Sequence, residues 1–145
     1  MHELRGIDSF IYSKLSADAQ LAALVGTKIY TRPAPQGTVP PYIIATFLAS
    51  PDRNALGPGT RILTRPLYLI RCITTDPNTN VADQIADRID DVLVGASGSV
   101  PSQNIFIGIV VREEPVRYEE TTPGSATVFQ HTGGRYRFFT ERLGG

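Results

Sequence analysis

The residues through which this 145-residue chain could do chemistry are two histidines, one cysteine, a serine among glycines and a row of aspartates. His2 stands at the start and His131 beside the last turn region, and neither has the H-E-x-x-H or Cys/His spacing that holds zinc. His131 reads as a surface or strand-end residue. Cys72, flanked by Ile70 and Ile73, reads as a small buried hydrophobe, because a nucleophilic thiol needs an accessible, electropositive setting. Around Ser97, in Gly95-Ala-Ser-Gly98, the nucleophile-elbow pattern G-x-S-x-G fails at Ser99, and the segment follows a helix where a strand is required. Gly57-Pro-Gly59 lacks the Lys-Ser/Thr of a phosphate loop, and prolines there remove amide donors. No catalytic constellation stands out among these residues, and no catalytic, cofactor-binding or metal-ligating residue is assigned.

Asp83, Asp87, Asp90 and Asp91 share one arc of a helix. Hard-cation sites usually draw ligands from a turned loop or several elements, so a solvated or partner-facing acidic face is the simpler reading. Repeated around a ring, the same carboxylates would give a negative lining past which nucleic acid slides without sticking. Arginine outnumbers lysine 12 to 2. Its planar fork suits interfaces, which makes Arg65, Arg71, Arg112, Arg117, Arg135 and Arg137 contact candidates, although genomic composition explains such a bias equally well.

Several elements must position these groups. Leu4, Ile7, Phe10 or Ile11, and Leu15 lie at helical spacing and predict a helix over about residues 3–15. Ser16 then stands as an N-cap, with Asp18 in the first turn of a short helix carrying Leu21, Leu24 and Val25 and ended by Gly26. A brief strand is expected over Lys28 to Thr31 and a proline-rich loop over Arg32 to Pro41. Tyr42 to Ala49 is a strand apolar on both parities; Pro51 to Thr60 is a projecting turn; Ile62 to Thr74 is a long strand with Pro66 at an edge or bulge. In that strand Arg65, Leu67, Leu69 and Arg71 share one face.

Val81, Ile85, Ile89 and Val92 mark the clearest helix. With Ala86 and Leu93 they fall within an arc of about 140°, and the four aspartates fill the next, from about 180° to 280°. Asn104 to Val111 is a strand with Ile105, Ile107, Ile109 and Val111 opposite Phe106 and Val110. Val116 to Tyr118 continues or pairs with it. Thr121 to Ser125 forms a turn, and one or two closing strands surround Gly133-Gly134.

These elements make an α+β domain spanning residues 1–145: a mostly antiparallel sheet of about five strands, one long helix and an N-terminal helical pair. A chain of 15.8 kDa can bury roughly 68% of its unfolded surface, enough for one core. With 14 basic and 14 acidic side chains, the formal charge is zero, which argues against specific nucleic-acid recognition or a membrane-surface role. A single cysteine excludes a disulfide framework, and the start lacks the features of a secretory signal, so assembly in the cytoplasm is expected. Several strands are apolar on both faces while few helices are available to cover them. Part of the sheet is expected to be covered by another copy or a partner; helices divided between both faces are the alternative.

The run Leu21-Ala-Ala-Leu-Val-Gly26, then Ile29-Tyr30, Ala34-Pro-Gln-Gly37 and Pro41-Tyr42-Ile-Ile44, resembles the N-terminal half of tail-completion, or tail-terminator, proteins of long-tailed bacteriophages. The strand ending at Thr75, the helix with Ala82, Ile85, Ala86 and Leu93, and Phe129-Gln-His131 followed by Arg135-Tyr-Arg-Phe138 extend the resemblance over nearly the whole chain. Gly57-Pro-Gly59 and the stretch Thr121 to Thr127 depart from it.

The resemblance implies a virion structural protein of the tail and neck, not an enzyme. Such proteins form a ring, commonly of six copies, that caps the head-proximal end of the tail tube, ends its polymerisation and offers the surface on which the head docks. Its partners would be further copies of itself, the tail-tube protein and a head-completion or connector protein, with no membrane involved. On this reading Arg32, Gln36, Asp52, Arg53 and Arg61 lie on loops meeting a neighbour or the tube, and Arg65, Leu67, Leu69 and Arg71 on an intersubunit face. Asp83, Asp87, Asp90 and Asp91 would face the lumen or a partner. The alternatives are another neck component, such as a head-completion or connector protein, and a small ligand-binding or catalytic domain with a pocket under the Pro51 to Arg61 loop.

Overall fold

The computed structural model describes residues 2–49, 52–54, 61–75, 77 and 79–142. Helix α1 (His2–Ser16) and helix α2 (Ala19–Val25) follow each other closely. Because α1 runs through Ser16, the expected cap at that position is displaced: Asp18 takes the extended conformation and accepts the Leu21 amide at 3.0 Å. Gly26, at φ 64°, closes α2, a backbone region that favours glycine.

Strand β1 (Ile29–Tyr30) pairs in parallel with β2 (Tyr42–Ala49), which is antiparallel to β5 (Leu67–Thr74). Part of the expected turn after residue 50 is strand, since β3 (Asp52–Asn54) pairs with β4 (Arg61–Thr64); residues 51 and 55–60 of that turn lie outside the described residues. Helix α3 (Asn80–Leu93), the short β6 (Gly98–Val100), β7 (Ile105–Thr121) and β8 (Val128–Arg142) complete the order. Gly133 and Gly134 lie inside one uninterrupted β8, so the end of the chain forms one closing strand, the first of the two alternatives.

The strand expected over 62–74 is interrupted at 65–66 yet keeps a single register. Leu63 faces Glu141, Thr64 faces Thr140 and Leu67 faces Arg137, while the Phe138 amide donates to the Pro66 carbonyl at 2.9 Å. Proline has no amide to give, so the ladder loses donors there without slipping. The eight strand segments thus form six ribbons, in the order β1, β2 with β3, β5 with β4, β8, β7, β6. That is one ribbon more than the sequence suggested.

All three helices pack on one face. Ile7, Ile11 and Leu15 of α1, Leu21 and Val25 of α2, and Ala82, Ile85, Ile89 and Leu93 of α3 meet Ile43, Ala45, Tyr68, Ile70, Cys72, Tyr136 and Phe138 from the sheet. Aromatic edges lock this layer, with Phe138 against Phe10 at 6.4 Å and against Tyr68 at 5.5 Å. The outer edge of β2 beyond Ile44 pairs with no strand among the described residues. On the opposite border, the amide of Gly95 caps the Val110 carbonyl at 2.9 Å, and β7 beyond it has no strand outside it among those residues. No helix among them is long and apolar enough to cross a membrane.

Candidate functional site

Side chains alternate across a strand, so placing Tyr68, Ile70 and Cys72 under the helices turns Leu67, Leu69 and Arg71 to the other face. The pairing registers assemble that helix-free face in rows. The first runs Tyr42, Ile73, His131, Tyr118; the second Ile44, Arg71, Gly133, Val116; the third Thr46, Leu69, Arg135, Glu114; the fourth Ala49, Leu67, Arg137, Val111. Phe139 and Ile109 follow. Leu67, Leu69 and Arg71 are each half-buried.

The alternation expected over 104–111 fails at Gly108, and a second register shift follows further along β7, between Arg112 and Glu114. The register shifts between Ile107 and Ile109, so Ile105, Ile107 and Val110 are buried while Ile109 and Val111 are 46% and 38% exposed. An extra residue at Gly108 turns the strand over, as a bulge does. Ile109 and Val111 therefore join Phe139, Leu67 and Leu69 in an apolar band that the sequence reading missed. The glycine inside an otherwise β-branched run is the signal that could have found it.

The arginines of this region divide into two groups. Arg135 pairs with Glu114 at 3.0 Å, Arg137 with Glu113, Arg117 with Asp83, and Arg112 lies 3.5 Å from Asp90. Arg65 and Arg71 have no carboxylate partner among the described residues. Arg65 lies over the Phe139 ring at 5.2 Å, and its carbonyl accepts from Arg137 Nη1 at 2.8 Å. Arg71 donates from Nε to His131 Nδ1 at 3.1 Å and from Nη1 to Thr46 Oγ1 at 3.2 Å. His131 is thus within β8 rather than at a surface strand end, its side chain 7% exposed, stacked on Tyr118 with centroids 4.4 Å apart.

Arg32 lines a hollow of about 370 Å³ with Arg71, Tyr42 and Thr46, which brings two of the sequence-selected cations to one place. Gln36 sits exposed in the following loop. Asp52 and Arg53 lie on β3 and Arg61 on β4, out along the arm of the long hairpin. The aspartates of α3 lie on the other layer and do not act as one stripe. Asp83 pairs with Arg117, and Asp90 accepts the Tyr136 hydroxyl at 3.0 Å; Asp87 and Asp91 are exposed. Among the described residues, no group of three or more His, Cys, Asp or Glu side chains gathers as a metal site. Cys72 is buried, with Sγ 3.5 Å from the Ala82 carbonyl, and burial pushes its thiol up to about 12, far from a thiolate at neutral pH.

The molecule is an α+β sheet with helices on one face and, on the other, an arginine-flanked apolar band of a composition suited to contact. This chain belongs to the family described as Tail completion protein gp17, which matches residues 10–131, and so to the structural components of the virion tail. Among solved structures it is similar to a chain of the "Virion of native gene transfer agent (GTA) particle", with a TM-score of 0.59 and 21% identity over 94% of this chain and 96% of that one. At that identity the likeness is one of fold. No curated protein matches the chain in sequence.

Proposed function

We propose that this chain terminates the tail tube: copies of it close into a ring, of six subunits, on the head-proximal end of the tube, stop its growth and present the surface on which the head docks. Family membership over residues 10–131 carries this reading. The helix-free face supports it, because a half-buried apolar band beside two cations that have no carboxylate partner among the described residues has the composition of a subunit contact. Arg65, Leu67, Leu69 and Arg71, with Ile109 and Val111, form the intersubunit face on this reading. Arg32 and Gln36, with the arm bearing Asp52, Arg53 and Arg61, meet a neighbour or the tube. Asp87 and Asp91, exposed on α3, provide what negative lining the ring has; Asp83 and Asp90 are already engaged by the chain's own sheet.

Native mass spectrometry and electron microscopy of the chain, alone and with its cognate tail-tube protein, test the proposal. A closed ring of about six copies, roughly 95 kDa, or rings seen only at tube ends, is the expected result. A monomer that never binds tubes overturns it.

A further inference from the structure

We propose that His131 and Arg71 form a proton-operated latch on the helix-free face: the neutral imidazole holds the Arg71 guanidinium, and taking up one proton releases it while drawing the Glu120 carboxylate onto the ring.

Arg71 Nε–H donates to His131 Nδ1 at 3.1 Å, so Nδ1 carries the lone pair and the single ring proton of the neutral form sits on Nε2. That Nε2–H is buried and has no hydrogen-bond partner among the described residues. The nearest carboxylate oxygen, Glu120 Oε1, stands 3.8 Å away on a side chain that is 64% exposed and therefore free to close the gap. A buried donor left unpaired beside an acceptor just out of reach is a group awaiting a second arrangement.

Protonation puts that second arrangement in place. The added proton goes to Nδ1, which then opposes Arg71 Nε–H donor to donor and cation to cation. The guanidinium must leave, keeping its bond to Thr46 Oγ1 or turning to solvent. The charged Nε2–H gains the Glu120 carboxylate, an ion pair that the neutral ring could not make. The ring itself stays in place because Tyr118 stacks on it at 4.4 Å with a 9° interplanar angle. Gly133, opposite Arg71, has no side chain to trap the departing group.

The charged and titratable groups facing His131 among the described residues are Arg71 from β5 and Tyr118 and Glu120 from β7. Tyr42 of β2 lies at the far end of the same row and, through Glu120, in the same field. Burial and Arg71 together hold the imidazole below its usual range, and Glu120 pulls the other way. Resting on the proposed function, the latch would set how many free cations the intersubunit face offers.

Two-bond 1H–15N spectra of selectively labelled histidine and arginine, recorded on the whole chain from pH 8 to 5, decide the matter. The expected result is the Nε2–H tautomer at high pH, with the His131 ring and the Arg71 Nε–H shifting at one common midpoint below 6.5. His131→Phe, which keeps the stack on Tyr118, should leave the Arg71 signal flat, and Glu120→Gln should lower the midpoint. Because the folded pKa lies below the unfolded one, wild-type stability should fall as pH drops below about 6.5, a slope absent from His131→Phe. An Nδ1–H tautomer, or an Arg71 signal indifferent to the His131 titration, overturns the latch. Either result is independent of tube capping: a flat titration with intact capping defeats the latch alone, and a coupled titration without capping defeats the terminator reading alone.

Discussion

Tyr68 and Tyr136 stand opposite each other on β5 and β8, and each sends its hydroxyl to an aspartate on a different helix. Tyr68 reaches Asp8 of α1 at 2.7 Å and Tyr136 reaches Asp90 of α3 at 3.0 Å. Burial pushes both phenols well above their usual range, so they are donors at any physiological pH. One cross-strand pair thus anchors two helices to the sheet.

The two anchors should not cost the same to remove. Tyr68→Phe leaves the half-buried Asp8 without its donor, a loss of about 1–3 kcal/mol. Tyr136→Phe leaves Asp90 with Arg112 at 3.5 Å and should fall near the lower end of that range. Chemical denaturation of the two variants under identical conditions compares them. A larger loss for Tyr136→Phe contradicts the geometry.

Asp8 itself is held above its normal value, by burial first, with the Tyr68 bond and Arg32 opposing. A carboxyl with a raised folded pKa contributes stability below its unfolded value, about 3.9, and loses it as pH rises through the folded value. Asp8→Asn keeps an oxygen for Tyr68 and removes the buried charge. Its melting temperature should equal or exceed wild type at pH 7, with the difference shrinking toward pH 4. A constant deficit across that range would refute the account.

Asp18 titrates in the opposite sense. Arg88 grips both its oxygens, Nε to Oδ2 at 2.9 Å and Nη2 to Oδ1 at 2.6 Å, and with the Leu21 amide this holds the carboxyl below its usual range. Its contribution is present above about pH 3.9 and is lost as pH falls through the lower folded value. Asp18→Ala should cost about 1 kcal/mol for the lost cap alone, lowering the melting temperature by roughly 3–6 °C. Melting curves from pH 7 to 2.5 should converge with wild type only at the acid end.

At Gly133, β8 leaves no room against β5 for a side chain. A Cβ there would lie 2.1 Å from the Ile70 carbonyl oxygen and 2.6 Å from Arg71 Cα, both backbone atoms that cannot step aside. Gly133→Ala should cost about 3 kcal/mol or more and depress soluble yield. At Gly108 the nearest atom is 3.7 Å away, so Gly108→Ala should change stability by less than about 0.5 kcal/mol. Equal effects would mean that close approach is not what demands the glycine.

Ile109 and Val111 offer a separation of folding from assembly. Both are exposed in the single chain, so Ile109→Ser and Val111→Ser should shift its stability by about 0.5 kcal/mol or less. Ring formation or tube capping, followed by native mass spectrometry, should weaken. Unchanged assembly in the double variant would remove these residues from the interface.

The helices were legible in the sequence because their burial is one-sided: Ile85, Ile89 and Leu93 repeat at helical spacing and are fully buried. So was the shared face of Leu67, Leu69 and Arg71, since strict alternation holds through β5. Legibility failed where a single residue changed phase. Gly108 inverts β7, and no propensity scale marks which glycine will be a bulge. The cap passed from Ser16 to Asp18 because both residue types cap equally well and only the length of α1 chooses between them. The partners of Arg112, Arg117, Arg135 and Arg137 depend on register across strands distant in sequence, which composition does not contain. His131 was misplaced for the same reason: its burial comes from Tyr118 and Arg71, on two other strands.

The two borders of the sheet are defended unequally. Beyond Val111, the outer border of β7 presents Glu113, Glu114, Pro115, Arg117, Glu119 and Glu120, a sequence hostile to strand addition. The border of β2 from Ala45 to Ala49 has neither charge nor proline, and Phe47 and Leu48 are 40% and 41% exposed. A sheet with one bare margin can join another once, margin to margin, but has nowhere to continue. Stray association of isolated copies should therefore stop at pairs instead of running on into fibres.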